Sequence, residues 1–484
     1  MGEPLPGGKT FFGHPAPLIN LFSIELWERF SFSGMQIIAT YYMYFSLTDG
    51  GLGIDRGVAT SLIGAYGGMV YLSTILGAWV ADRLWGGERV LFYSGVMIMV
   101  GHIALAVVPG IPGLAIGLIL VGVGSGGLKA NATAIVGTLY APADVRRDAG
   151  FSIFYMGINI GAFAGPLLTG FARDQWGFHV AFGVAAVGMA LGLTQYALTR
   201  KSLPENARVV PNPLPRSKYP LAIGISIASL GVIVLLVATG IVTAANLVTV
   251  IIFAAIVATV AYFVVILRNP KVQGVERSRV YSFIPMFLAS AAFWSLFQQQ
   301  FTVFPVYAEE RLNRNFFGWD FLPEWVGSIN PVFIIIFAGV FAALWTKLGN
   351  RQPSSPVKFS LGLGLMGLAF LGFLPFAGGA AGSVPLLGLV GILFLFTMAE
   401  LMLSPVGLSL ATKLAPESYR AQMVALFFLS ISLGSAIAGQ LSTLYHPGSS
   451  EGTYFTAVGG TAIILALALA AAIKPIRKLM AGVH

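Results

Sequence analysis

The chain has 484 residues, of which 56% are hydrophobic and only 10% charged, and its mean hydropathy is +0.82. These values exclude an ordinary soluble domain and leave a bilayer as the solvent. The absence of cysteine excludes disulfides and thiolate metal sites. The net charge of +9 is explained by where the basic residues fall along the chain, and no nucleic-acid partner is expected.

Taken from the N-terminus, Met1 to Pro17 holds no short apolar core with a small-residue cleavage site, so no removable signal peptide is expected. Apolar windows long enough for a spanning helix then predict segments at 18–46, 57–81, 90–108, 113–137, 150–170 and 177–198. Two more follow at 219–240 and 245–267, and six at 281–307, 326–346, 357–375, 385–410, 421–442 and 453–473. Segments of about 10 alternating residues, the mark of an outer-membrane barrel, are absent. The expectation is an all-α integral membrane protein with 14 transmembrane helices. It is organised as a six-helix bundle (1–200), a Pro-rich linker with an inserted helix pair (201–280), and a second six-helix bundle (281–484).

An even number of spans puts both termini on one side. The segments sharing that side hold 22 of the 28 basic residues, Arg83, Arg89, Arg146, Arg147, Arg200, Lys201 and Arg277 among them. The other side holds four, Arg56, Arg173, Arg311 and Arg314, so the termini are expected in the cytoplasm and the chain in the cell (inner) membrane.

Two cations remain, Arg29 and Lys129, and both fall inside apolar helices. A charge at mid-membrane costs several kcal/mol, about 3 even on lenient scales, so such residues are functional candidates. Glu25, Glu28 and Arg29 occupy one wedge of the first helix. Glu25 and Arg29, four apart, can form a fixed ion pair that only locks helices. One arginine leaves the second carboxylate without a counter-charge, however, which points to a proton-exchanging group. Lys129 follows Gly122-Val123-Gly124-Ser125-Gly126-Gly127, a dinucleotide-like pattern with no preceding strand and no acid to hold a ribose. The glycines read instead as close helix packing, like Gly157, Gly161 and Gly165 at four-residue spacing. For Lys129 the competing reading is snorkelling to the interface. Glu400 lies ahead of Ser404-Pro405, where the proline can kink the helix, and Asn159, Asn330-Pro331 and Gln298 to Gln300 add uncharged polar groups. Plain interhelical hydrogen bonding accounts for the Asn and Gln residues equally well.

These motifs resemble the proton-dependent oligopeptide transporter family, a branch of the major facilitator superfamily. Helix one carries Glu25, Glu28, Arg29 and Phe30, continuing to Gly34-Met35, and helix five carries Phe154-Tyr155-Met156-Gly157-Ile158-Asn159-Ile160-Gly161. Asp82-Arg83, Phe293-Trp294, Asn330-Pro331 and Glu400 with Pro405 fall where the family has further motifs. Four positions depart from it: Phe32 and Ser33 replace a Tyr-Tyr pair, Gln36 replaces a cation, and Gln298 stands where helix seven often has an acid.

The resemblance implies the major facilitator fold and a symporter that imports di- and tripeptides with protons, by alternating access between two bundles. Protons are then the coupling ion, no cofactor is expected, and the chain acts as a monomer. Glu25, Glu28 and Arg29 are the expected coupling cluster, with Glu28 the more readily protonated. Arg29, Lys129, Tyr41, Tyr155, Asn159, Phe293, Trp294, Gln298, Asn330, Glu400 and Ser404 are the expected substrate-binding set. In that set the cations take the peptide carboxylate and Glu400 takes its ammonium, while ordinary packing is the competing reading for the aromatics. The rival within the same class is a transporter for another anionic or amphoteric solute, such as nitrate or a peptide-like drug, which the missing cation at Gln36 favours. An intramembrane enzyme finds no support: there is no His-Glu-x-x-His, and His14, His102, His179, His446 and His484 are scattered.

Overall fold

A computed structural model of the chain describes residues 10–11, 13–140 and 146–483. Residues 1–9, part of the segment read above for a signal peptide, lie outside the described residues, as does the side chain of Arg147.

With no water to hydrogen-bond, an apolar chain has to satisfy its backbone internally, and helices do that. In order they are α1 (Leu18–Tyr44), α2 (Arg56–Val80), α3 (Gly87–Val107), α4 (Gly110–Thr138), α5 (Arg147–Trp176) and α6 (Phe178–Thr199). The inserted pair is α7 (Tyr219–Ala238) and α8 (Leu247–Arg268). Then come α9 (Gly274–Phe297), α10 (Val303–Arg311), α11 (Ile329–Leu348), α12 (Ser355–Leu371), α13 (Leu386–Lys413), α14 (Arg420–Ser442), α15 (Glu451–Ala471) and α16 (Ile473–Met480). Among the described residues 13 helices are long and apolar enough to cross a bilayer. α1 is also long enough at 27 residues, but it carries Glu25, Glu28 and Arg29 and stands apart from those by composition.

Helix seven differs from the single segment expected at 281–307. It begins earlier, at Gly274, because Glu276, Arg277 and Arg279 hide its first turns from a hydropathy scan. It also breaks: α9 ends at Phe297, Gln298–Phe301 form a tighter 3-10 turn, and α10 resumes at Val303. Pro305 explains the break, since it has no N–H to give to Phe301 O and its ring crowds the preceding turn. Phe301 O accepts from Thr40 Oγ1 at 3.2 Å instead. Pro405, by contrast, leaves α13 continuous. Pro331 sits in the first turn of α11, where a missing N–H costs little, just after the 3-10 turn Pro323–Ser328.

The chain forms two compact units, residues 1–35 with 72–250 and residues 36–71 with 251–484. The first is closed by small residues. A Cβ on Gly161 would lie 2.1 Å from Leu26 O and one on Gly165 2.3 Å from Phe30 O, so the four-residue glycine spacing of α5 lets α1 approach backbone to backbone. Gly126 and Gly127 of α4 do the same against Ser73 and Gly77 in α2. The second unit uses the same device where Gly64 of α2 meets Gly439 of α14. No residue of α7 is buried, so its side chains need an apolar solvent.

Candidate functional site

Two buried polar centres stand out, one in each unit. In the first unit, α1 presents Glu28 with no exposed surface, and its Oε1 accepts hydrogen bonds from Lys129 Nζ at 2.5 Å and Ser125 Oγ at 2.7 Å. Ser125 and Lys129 are four apart on α4, so one helix face delivers both donors. Arg29 Nε lies 3.6 Å from Glu28 Oε2 and 3.9 Å from Glu25 Oε2. The Lys129 ammonium also sits 4.2 Å from the centre of the Phe32 ring, a cation–π contact that counts for more in a desolvated site.

This arrangement changes the charge balance read from the sequence. Lys129 supplies the second cation, so the centre holds two carboxylates and two cations. Lys129 does not snorkel: it is 5% exposed and its nitrogen is held by Glu28. The tight pair is Glu28–Lys129, between helices, whereas the Glu25–Arg29 contact within α1 is long. Glu25 Oε2 has no hydrogen-bond partner among the described residues.

The second unit holds the opposite case. Glu400 of α13 is 7% exposed, and its Oε2 accepts from Asn330 Nδ2 of α11 at 3.0 Å. Asn330 Nδ2 also reaches Thr397 Oγ1 at 3.0 Å, and Thr397 hydroxyl donates back to Leu393 O at 2.8 Å, which fixes the set. Among the described residues no Lys, Arg or His forms an ion pair with Glu400. A buried carboxylate with one amide donor and no counter-charge is a strong site for a cation.

Aromatic side chains pack in the same unit. Phe297 stacks on Phe396 of α13 with centroids 4.9 Å apart and on Phe293 at 6.0 Å, and Trp294 meets Phe297 edge-on at 5.1 Å. The Trp294 indole Nε1 is buried with no hydrogen-bond acceptor among the described residues.

The remaining expected site residues are placed as follows. Gln298 is buried in the 3-10 turn that ends α9. Tyr41 is fully buried and its hydroxyl donates to Pro305 O at 2.9 Å, so it holds α1 against α10. Phe293 is likewise fully buried. Asn159 gives its amide to Tyr155 O in its own helix at 2.9 Å, while Tyr155 is half-buried. Ser404, one turn after Glu400, is half-buried. Sequence reasoning did not single out Ser125, Thr397 or Phe396. The available signal was their spacing, with Ser125 four before Lys129, and Thr397 and Phe396 three and four before Glu400, each on the same helix face as the charged residue. Among the described residues no group of His, Cys, Asp or Glu could hold a metal ion.

A sequence model of the POT family matches residues 88–458. The chain is 42% identical to the uncharacterized transporter YclF of Bacillus subtilis (strain 168), over 98% of this chain and 97% of that protein. It is 40% identical to the di-/tripeptide transporter of Lactococcus lactis subsp. cremoris, over 98% of each. Among solved structures, a variant of peptide transporter POT in complex with alafosfalin superposes with a TM-score of 0.92 at 45% identity, covering 98% of this chain and 97% of that one.

Proposed function

We propose, from the premise that this chain belongs to the POT family, that it is a symporter importing di- and tripeptides with protons by alternating access. The observation that carries the reading is Glu400, a buried carboxylate with an amide donor and no paired cation among the described residues. A peptide's α-ammonium supplies the missing charge, and a charge-assisted hydrogen bond is about twice as strong as a neutral one. Asn330 holds the carboxylate in place without neutralising it.

The peptide carboxylate needs a cation, and in the first unit Lys129 is occupied by Glu28. A proton on Glu28 removes the charge that holds Lys129 and releases the ammonium for the substrate carboxylate. Loss of that proton restores the Glu28–Lys129 pair and expels the carboxylate. Ser125 supports the deprotonated form, because its hydroxyl donates to Glu28 Oε1. Proton and peptide thus use the same lysine in turn, which couples their movements. The name of the Lactococcus relative and the alafosfalin-bound neighbour support the substrate class. The basic-residue asymmetry supports a cell-membrane protein with cytoplasmic termini.

The test is uptake of a labelled dipeptide into liposomes holding the purified protein, with and without an inward proton gradient. Accumulation should require the gradient, and unlabelled di- and tripeptides should compete while free alanine does not. Equal competition by alanine, or accumulation of nitrate in place of peptide, would reject the reading.

A further inference from the structure

α16 begins one residue after α15, the last of the apolar spans, with only Ala472 between them. Its sequence places Ile476 and Met480 four apart, and both are buried, whereas Lys474, Arg477 and Lys478 are exposed. The far end of the helix is stitched to α9. Ser278 Oγ donates to Leu479 O at 2.8 Å, and the Arg279 guanidinium donates to Met480 O and Ala481 O, both at 3.3 Å. Arg279 thereby satisfies the last carbonyls of α16, which have no partner within the helix.

Three further cations lie on the neighbouring segments: Arg268 at the end of α8, Lys271 in the turn, and Arg277 in the first turns of α9. All three are exposed, and none has an ion-pair partner among the described residues; the same holds for Lys474, Arg477 and Lys478. Between residues 268 and 280 the one acid is Glu276, and its Oε1 accepts the backbone N–H of Glu417 at 3.0 Å; between 472 and 482 there is none. Apolar side chains are exposed among these cations, Val275 at 53% and Leu479 at 38%.

Cations without counter-charges are ordinary on a solvated surface, but these six lie within a few residues of the ends of three apolar spans, α8, α9 and α15. That is the depth of lipid phosphates, and an amphipathic basic helix continuous with a span meets the bilayer boundary before any soluble molecule. We propose that this face binds anionic phospholipid headgroups. α16 lies along the membrane boundary, Leu479 and Val275 enter the edge of the acyl region, and the six cations meet the phosphates. Nothing in this depends on which substrate is carried.

The full-length protein in nanodiscs of mixed phosphatidylglycerol and phosphatidylcholine tests it, with the lipids retained after extraction counted by native mass spectrometry. The wild type should retain phosphatidylglycerol preferentially, and each lost cation should reduce the preference by roughly five-fold. The triple variant Lys474→Gln, Arg477→Gln, Lys478→Gln should therefore keep on the order of a hundredth of it. The single variant Arg314→Gln, exposed in the connection between α10 and α11 and away from the ends of the spans, should keep all of it, beside a roughly five-fold loss in Arg477→Gln. Equal retention in the wild type and the triple variant overturns the proposal, as do equal losses in Arg314→Gln and Arg477→Gln. If the triple variant does not fold, Arg477→Gln alone serves, and an unchanged preference there is equally fatal. Inorganic phosphate added to the mixed nanodiscs should not displace phosphatidylglycerol; displacement would identify a free-anion site and overturn the lipid assignment.

Discussion

The two buried centres are built on opposite electrostatic plans. In the first unit Glu28 is held by Lys129 at 2.5 Å and by Ser125, with Arg29 and Glu25 completing a balanced set. In the second unit Glu400 has an amide, Asn330, and no cation among the described residues. A balanced cluster is quiet until a proton unbalances it, whereas a lone carboxylate is incomplete until a cation arrives. On the proposed function, the first centre is the one suited to exchange a proton and the second the one suited to recognise an ammonium.

The largest effect should come from breaking the balanced centre. Lys129→Ala leaves Glu28 buried without its cation, which costs about 3–5 kcal/mol in comparable pairs, and transport should fall to background. A double variant, Lys129→Ala with Glu28→Gln, separates folding from function: thermal stability should recover while transport stays absent. Recovery of transport in the double variant would show that Lys129 only neutralises Glu28 and does not meet substrate.

The lone carboxylate should show a smaller, ligand-specific effect. Glu400→Gln is expected to weaken binding of a free-amine dipeptide by about ten-fold, close to 1.4 kcal/mol, and to leave its N-acetylated analogue nearly unchanged. Equal losses for both ligands would mean that Glu400 holds structure instead. Asn330→Ala removes the donor that positions Glu400 and should weaken the same dipeptide several-fold, for a hydrogen bond worth about 1 kcal/mol. Smallest of all, Ser125→Ala removes one of two donors to Glu28 Oε1. Its carboxylate becomes easier to protonate, so uptake should saturate at a smaller proton gradient with peptide affinity within about two-fold.

The spans were legible because a bilayer demands long apolar runs: 219–240 was expected where Tyr219–Ala238 is observed. The break after Phe297 was not, because the apolar pattern runs on through Phe301, Val303 and Phe304, and hydropathy does not register Pro305. That turn is fixed from afar, with Tyr454 hydroxyl donating to Gln299 Oε1 at 2.7 Å. The charged residues of both centres were legible one by one, since buried charge is rare. Their pairing was not, because Glu28 and Lys129 are 101 residues apart and helical spacing reveals only contacts within a helix. That limit made Arg29 look like the sole counter-charge for two carboxylates.

The central claim is that proton and peptide carboxylate take turns at Lys129 through Glu28. Glu28→Gln tests it most directly, because a neutral amide imitates the protonated carboxyl and cannot give its proton up. In one liposome preparation, exchange of labelled for unlabelled dipeptide should persist in Glu28→Gln, while accumulation driven by an inward proton gradient should be lost. Accumulation that persists in the variant and still depends on the gradient would place the proton elsewhere and contradict the account.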